Sequence, residues 1–127
     1  MSINQKDIVE IQLAKGAMRT GIEVLLENAG ISFKDIDRII VAGAFGSYID
    51  PKNVVNIGMF PRVPLDLISQ VGNAAGVGAK MMLVSASERK EAERIAGEVN
   101  YLELTVFPGF NDHFINSMKF PMPEEII

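Results

Sequence analysis

Two glycine-bearing turns hold the residues best suited to grip a ligand. The first lies in IIVAGAFGSYIDP, where Gly43 and Gly46 bracket Ala44 and Phe45, and Ser47 follows. Glycine has no Cβ, so its backbone can approach a ligand closely and can adopt positive φ. A strand, a Gly-rich turn and a helix in succession can hold a nucleotide through backbone amides and the helix N-terminus. The same layout also serves as an ordinary tight turn, since Gly is a common turn residue. The second turn lies in QVGNAAGVGAK: Gly72 and Asn73 lead into a helix start built almost wholly of Gly and Ala. Gly76 and Gly78 are poor helix formers there. Close packing on another backbone explains them, either as a hinge between lobes or as simple helix–sheet packing. Neither turn spells G-x-G-x-x-G or G-x-x-x-x-G-K-[ST], so both lack the Rossmann and P-loop fingerprints. Gly43 to Gly46 does spell G-x-x-G, as in KH nucleic-acid domains. The loop carries no Lys or Arg and the chain is acidic, which argues against nucleic acid.

Other candidates are weaker. Lys15 sits between Ala14 and Gly16 and could reach a ligand, although a snorkelling surface Lys is the commoner outcome. His113 has Asp112 beside it, but no spaced partners for a metal or a catalytic base are visible, so it reads as a solvated or capping residue. The run from Ser87 to Arg94 reads as a solvated helix face, with Arg89–Glu93 and Glu91–Arg94 placed to pair. No catalytic residue and no metal ligand is assigned.

Composition narrows the class. The chain has 127 residues, 48% hydrophobic and 22% charged, which suits one soluble domain with one core, residues 1–127. A net charge of −4 offers nothing broad to phosphate backbone or anionic lipid. No apolar run approaches the roughly 18 residues of a membrane helix, and the polar start is no signal peptide. The absence of Cys excludes disulfides, thiolate metal sites and Cys nucleophiles, and fits a cytoplasmic protein.

The elements that must position the turns follow from local pattern. A long helix is expected over residues 5–29, with Asn4 as N-cap, Asp7 in the first turn and Gly30 just past the end. Its apolar stripe would be Ile8, Ile11, Met18, Ile22, Leu25 and Leu26. Residues 32–35 read as a capped turn. A buried strand follows from Arg38 to Gly43, then a short helix opened by Asp50-Pro51 and ended at Gly58. A second strand is expected at 67–71, a helix at about 74–86, and another from Ser87 to Ala96, stopped by Gly97. Alternation predicts a third strand from Tyr101 to Val106. An amphipathic helix carrying Phe110, Phe114 and Met118 completes the order. Strands alternating with helices imply α/β architecture: a parallel sheet covered on both faces, with ligands outside the carboxyl ends of its strands.

Four stretches in order carry a resemblance: DIVEIQLAKGAMRTGIEVLL, DRIIVAGAFGSYIDP, VGNAAGVGAKMML and YLELTVFPGFNDHF. Together they resemble the C-terminal region of the ATP-dependent reductive activators of corrinoid-dependent proteins, across about residues 3–120. That family is similar to the superfamily that joins acetate kinase, sugar kinases, heat-shock chaperones and actin. The resemblance implies that residues 39–46 correspond to the adenosine motif, and residues 71–79 to a connecting helix where small residues let two lobes hinge. The cofactor-binding candidates are then Gly43, Ala44, Phe45, Gly46, Ser47, Gly72, Asn73 and Lys15. One departure stands out: Ala42-Gly43-Ala44 replaces the Gly-Gly of many relatives, keeping close approach at Gly43 alone.

The resemblance also implies ATP with magnesium, a corrinoid protein as partner, and reduction of inactive cobalt(II) corrinoid to cobalt(I). The family's iron–sulfur cluster belongs to an N-terminal domain, and this chain has no Cys to hold it. The expected fold is a partial RNase H-like lobe, a C-terminal fragment whose initial antiparallel strands and phosphate hairpins precede residue 1. An open strand edge should then drive formation of homo-oligomers, and the piece alone should be inactive. The alternative from another class is a non-catalytic module that docks the corrinoid protein or a second subunit. A Gly43→Val change is the sequence-level way to separate them.

Overall fold

A computed structural model describes residues 2–126 of the chain. Helix α1 spans Gln5–Ala29. Its start is fixed by a capping box: Asn4 Oδ1 accepts from the Asp7 amide at 3.1 Å, and the Asp7 carboxylate accepts from the Asn4 amide at 2.9 Å. Gly30, in the left-handed region, closes it. A short 3₁₀ turn, Phe33–Asp35, leads into strand β1, Ile39–Ala42. Another 3₁₀ turn, Phe45–Tyr48, joins β1 to helix α2, Pro51–Asn56, with Asp50 as N-cap. Strand β2 spans Ile68–Gly72, helix α3 Ala74–Val84, helix α4 Ala86–Glu98 and helix α5 Phe110–Ser117.

Among the described residues the sheet has two strands, β1 and β2, paired in parallel. Ile39 faces Ile68, Val41 faces Gln70 and Ala42 faces Gly72, so the register slips by one residue at Val71. The core lies on one side of this sheet. Val54, Val55, Phe60, Val63 and Ile68 are buried together, and Ile22, Ile39, Val41 and Ile49 pack against them. Cover on both faces is therefore met on one face only, because Ile40 is 59% exposed.

The third expected strand does not form. Residues 104–106 make a 3₁₀ turn instead. The Glu103 carboxylate accepts from the Thr105 hydroxyl at 2.7 Å and caps that turn. A strand needs a neighbouring edge, and alternation alone supplies none. Tyr101 points away from the core, 83% exposed.

The face that α1 buries also differs from the apolar stripe. Lys15, Gly16, Thr20 and Val24 are its buried residues, while Ile8, Ile11, Met18 and Leu25 are exposed. The cause is the close approach of α5. A Cβ on Gly16 would lie 2.9 Å from Met118 Cγ and 3.5 Å from the Phe114 ring. Only a residue without a side chain lets the helices meet there. Phe110 and Phe114 stack along α5, centroids 6.1 Å apart.

Three smaller expectations shift. Helix α4 begins after Ser85, which caps Glu88, and runs through Gly97 to Glu98. Arg94 holds both Glu91 and Glu98, so its pairing with Glu91 stands. Arg89 instead donates to the Met82 carbonyl at 2.6 Å, which ties the start of α4 to the end of α3.

Candidate functional site

The carboxyl ends of β1 and β2 bring the two glycine turns together. The Gly43 amide donates to the Gly72 carbonyl at 2.6 Å, closing the sheet at that edge. Gly43 has φ of 99° and Gly72 has φ of 62°, which a side chain would strain. Among the described residues, apart from its chain neighbours, nothing lies within 4 Å of where a Gly43 Cβ would sit. The Ser47 hydroxyl lies 3.8 Å from the corresponding point on Gly72. Gly46 has the opposite surroundings: a Cβ would fall 2.7 Å from Val41 Cγ1, so that glycine lets the turn fold back onto β1.

Asn73 caps α3, its side-chain oxygen accepting from the Gly76 amide at 2.9 Å. A Cβ on Gly76 would lie 2.7 Å from the Asn73 amide group, so glycine there preserves the cap. Gly78 meets nothing within 4 Å and leaves α3 smooth on its outer side.

Sequence reading missed Gln70. Its side-chain amide donates to the Gly46 carbonyl and, at 2.6 Å, to the Ile49 carbonyl. One residue of β2 thus pins the whole 45–48 turn. An amide in the middle of a strand was the available signal, but nothing local shows what it reaches.

Of the eight expected binding residues, Gly43, Ala44, Phe45, Gly46, Ser47, Gly72 and Asn73 lie in these two adjoining turns. Lys15 does not bond to them. It is 1% exposed, and its ammonium donates to the Ser117 carbonyl and, at 2.7 Å, to the Lys119 carbonyl. Gln12 donates to the Met118 carbonyl at 3.3 Å. Side chains of α1 therefore satisfy the last carbonyls of α5, where a cation also complements the helix dipole. Burial, with Arg19 nearby, holds the Lys15 pKa below its ordinary value of 10.5, while Glu23 opposes the shift.

His113 is half-buried and pairs with side chains rather than capping a helix. Its Nδ1 lies 3.2 Å from Glu23 and its Nε2 lies 3.0 Å from Glu27, two carboxylates one turn apart on α1. Glu23 also pairs with Arg19 at 2.6 Å. Sequence separations of 90 and 86 residues hid both partners. Among the described residues no group of three or more His, Cys, Asp or Glu is arranged to hold a metal ion. No helix among them is long and apolar enough to cross a membrane.

Comparison with known proteins decides the lineage. Residues 1–126 match the family described as the C-terminal domain of RACo, the ASKHA domain. The chain belongs to that family. It is 38% identical over 118 residues to the corrinoid activation enzyme RamQ of Eubacterium limosum, covering 93% of this chain and 20% of that protein. It is 24% identical over 122 residues to a Methanosarcina barkeri [Co(II) methylated amine-specific corrinoid protein] reductase, covering 94% and 22%. A solved reductive activator for corrinoid, iron–sulfur protein superposes with a TM-score of 0.85 at 34% identity, covering 94% of this chain and 19% of that one. The chain thus spans about a fifth of the length of the relatives it matches. The α/β fold with its two parallel strands is that of the reductive-activator C-terminal lobe.

Proposed function

We propose that this chain is the nucleotide-binding lobe of an ATP-dependent reductive activator that returns cobalt(II) corrinoid proteins to the cobalt(I) state. The observation that carries the proposal is the convergence of both glycine turns at the carboxyl edge of a parallel sheet, in a chain of the ASKHA family. Ligands of parallel sheets bind at that edge. Gly43 and Gly72 shape it, the space beside Gly43 admits a ligand, and Ser47 and Asn73 add polar groups. Gln70 holds the first turn in place.

Binding and hydrolysis of ATP, with magnesium, supply the driving force for an uphill one-electron reduction. The electron comes from an iron–sulfur cluster in another domain, because this chain has no Cys to ligate one. The residues here position adenosine and transmit closure through α3, whose Gly76 and Gly78 leave little bulk for an opposing lobe to meet. A cytoplasmic location belongs to the same reading.

A docking role stands beside it, favoured by one observation: Leu83 and Val84, at the end of α3, are 79% and 84% exposed. Gly43→Val separates the two readings poorly, since φ of 99° strains any side chain whatever its space. Gln70→Leu is the cleaner change. In the full-length protein, cobalt(I) formation is followed by visible absorbance while ATP is varied. Loss of two hydrogen bonds to the turn should raise the ATP requirement about tenfold. Reduction that needs no ATP, or an unchanged ATP requirement with weaker corrinoid-protein binding, would favour docking.

A further inference from the structure

Helix α1, the loop through Gly58 to Arg62 and the segment from Asn116 to Glu125 enclose a cleft of about 360 Å³. Four cationic side chains line it: Lys15, Arg19, Arg62 and Lys119. Two carboxylates, Glu23 and Glu125, face the same space. Both are already engaged. Glu23 holds Arg19 at 2.6 Å and lies against His113, and Glu125 accepts from the Met122 amide at 2.7 Å. The lining includes none of the residues of the two glycine turns.

Lys15 makes this cleft unusual. A fully buried ammonium ordinarily has a carboxylate beside it, because an unpaired charge is costly to remove from water. Among the described residues Lys15 forms no ion pair; its hydrogen-bond acceptors are two neutral carbonyls, those of Ser117 and Lys119, and the Phe120 ring centroid lies 5.5 Å from its nitrogen. An ammonium has three protons, so one donor is left after α5 has been capped. Arg19 lies close enough to disfavour its charge further, and Glu23, already held by Arg19, offsets this only in part. Arg62 is exposed and forms no hydrogen bond or ion pair among the described residues. Lys119 donates to Asn116 alone, at 2.9 Å. Positive charge is thus concentrated around a pocket in a chain whose net charge is −4.

We infer that this cleft is a second ligand site, which takes a small anion of the phosphate class, with Lys15 at its floor and Arg62 and Lys119 at its mouth. The anion supplies a directly bonded counter-ion for Lys15, accepts its remaining proton and meets the free guanidinium of Arg62. The site stands independently of nucleotide binding at the glycine turns.

Inorganic phosphate is the probe, titrated into the chain at constant ionic strength with amide shifts followed by NMR. The expected result is saturable shifts at Lys15, Arg62 and Ser117–Lys119. The Arg62→Gln, Lys119→Gln double variant changes only exposed side chains, so its fold should persist. Its dissociation constant for phosphate should rise about tenfold or more. Shifts that never saturate, or a double variant that binds phosphate as tightly as the parent chain, would overturn the inference.

Discussion

Lys15 keeps a charge on a side chain that is almost wholly buried, and its surroundings set a pH dependence. Burial is the main cause of its lowered pKa, with Arg19 adding to it. The folded chain therefore holds that proton less firmly than the unfolded chain does. Between the folded pKa and 10.5 the unfolded state binds more protons, so the Lys15 contribution to stability rises with pH across that window. The Lys15 side-chain carbon shifts, followed by NMR, should titrate with a midpoint below 10.5. A midpoint at or above that value would contradict the burial described here. At Gly16 the expectation is steric. Gly16→Val would drive a side chain into Met118 and should cost about 1–3 kcal/mol in chemical denaturation. Neither residue's role was legible in the sequence. Lys15 read as a surface lysine and Gly16 as a local conflict, because their partners lie about a hundred residues away on α5. The Glu23 and Glu27 partners of His113 were hidden for the same reason.

At the scale of elements, legibility follows how local the deciding interaction is. The bounds of α1 were readable because Asn4, Asp7 and Gly30 act within one turn of each end. Helix α2 was readable from Asp50-Pro51, and the first strand from its β-branched run. Residues 101–106 alternate correctly and still form no strand, because pairing depends on an edge that the segment itself does not encode. The convergence of the two turns was implied by strand–helix alternation; the pinning of one turn by Gln70 was not. In α3, a Cβ on Gly78 would meet nothing within 4 Å among the described residues beyond its own helix, so packing there does not require glycine. Gly78→Ala should stabilise the chain by about 0.5–1 kcal/mol, measured by urea denaturation. A loss of stability would show that the helix is packed more tightly than its surroundings indicate.

Large apolar side chains are exposed on several elements of the chain. Ile40 on the sheet, Leu83 and Val84 on α3, and Val99 just past α4 are all exposed. Large contiguous apolar patches mark interaction surfaces, and a two-stranded sheet leaves both outer edges unpaired. The chain taken alone should therefore self-associate at micromolar concentration. Light scattering after size exclusion measures this directly, and a monomer at every concentration would contradict it. In the relatives, of which the chain covers about a fifth, there is ample further protein to cover such surfaces.

The measurement that bears most directly on the nucleotide reading is a titration of the chain with magnesium-ADP, followed through its backbone amides. Saturable shifts centred on residues 43–47 and 72–76, weak in affinity because only one lobe is present, are the predicted result. Absence of any shift at both turns, up to millimolar nucleotide, would mean that this edge of the sheet does not hold adenosine.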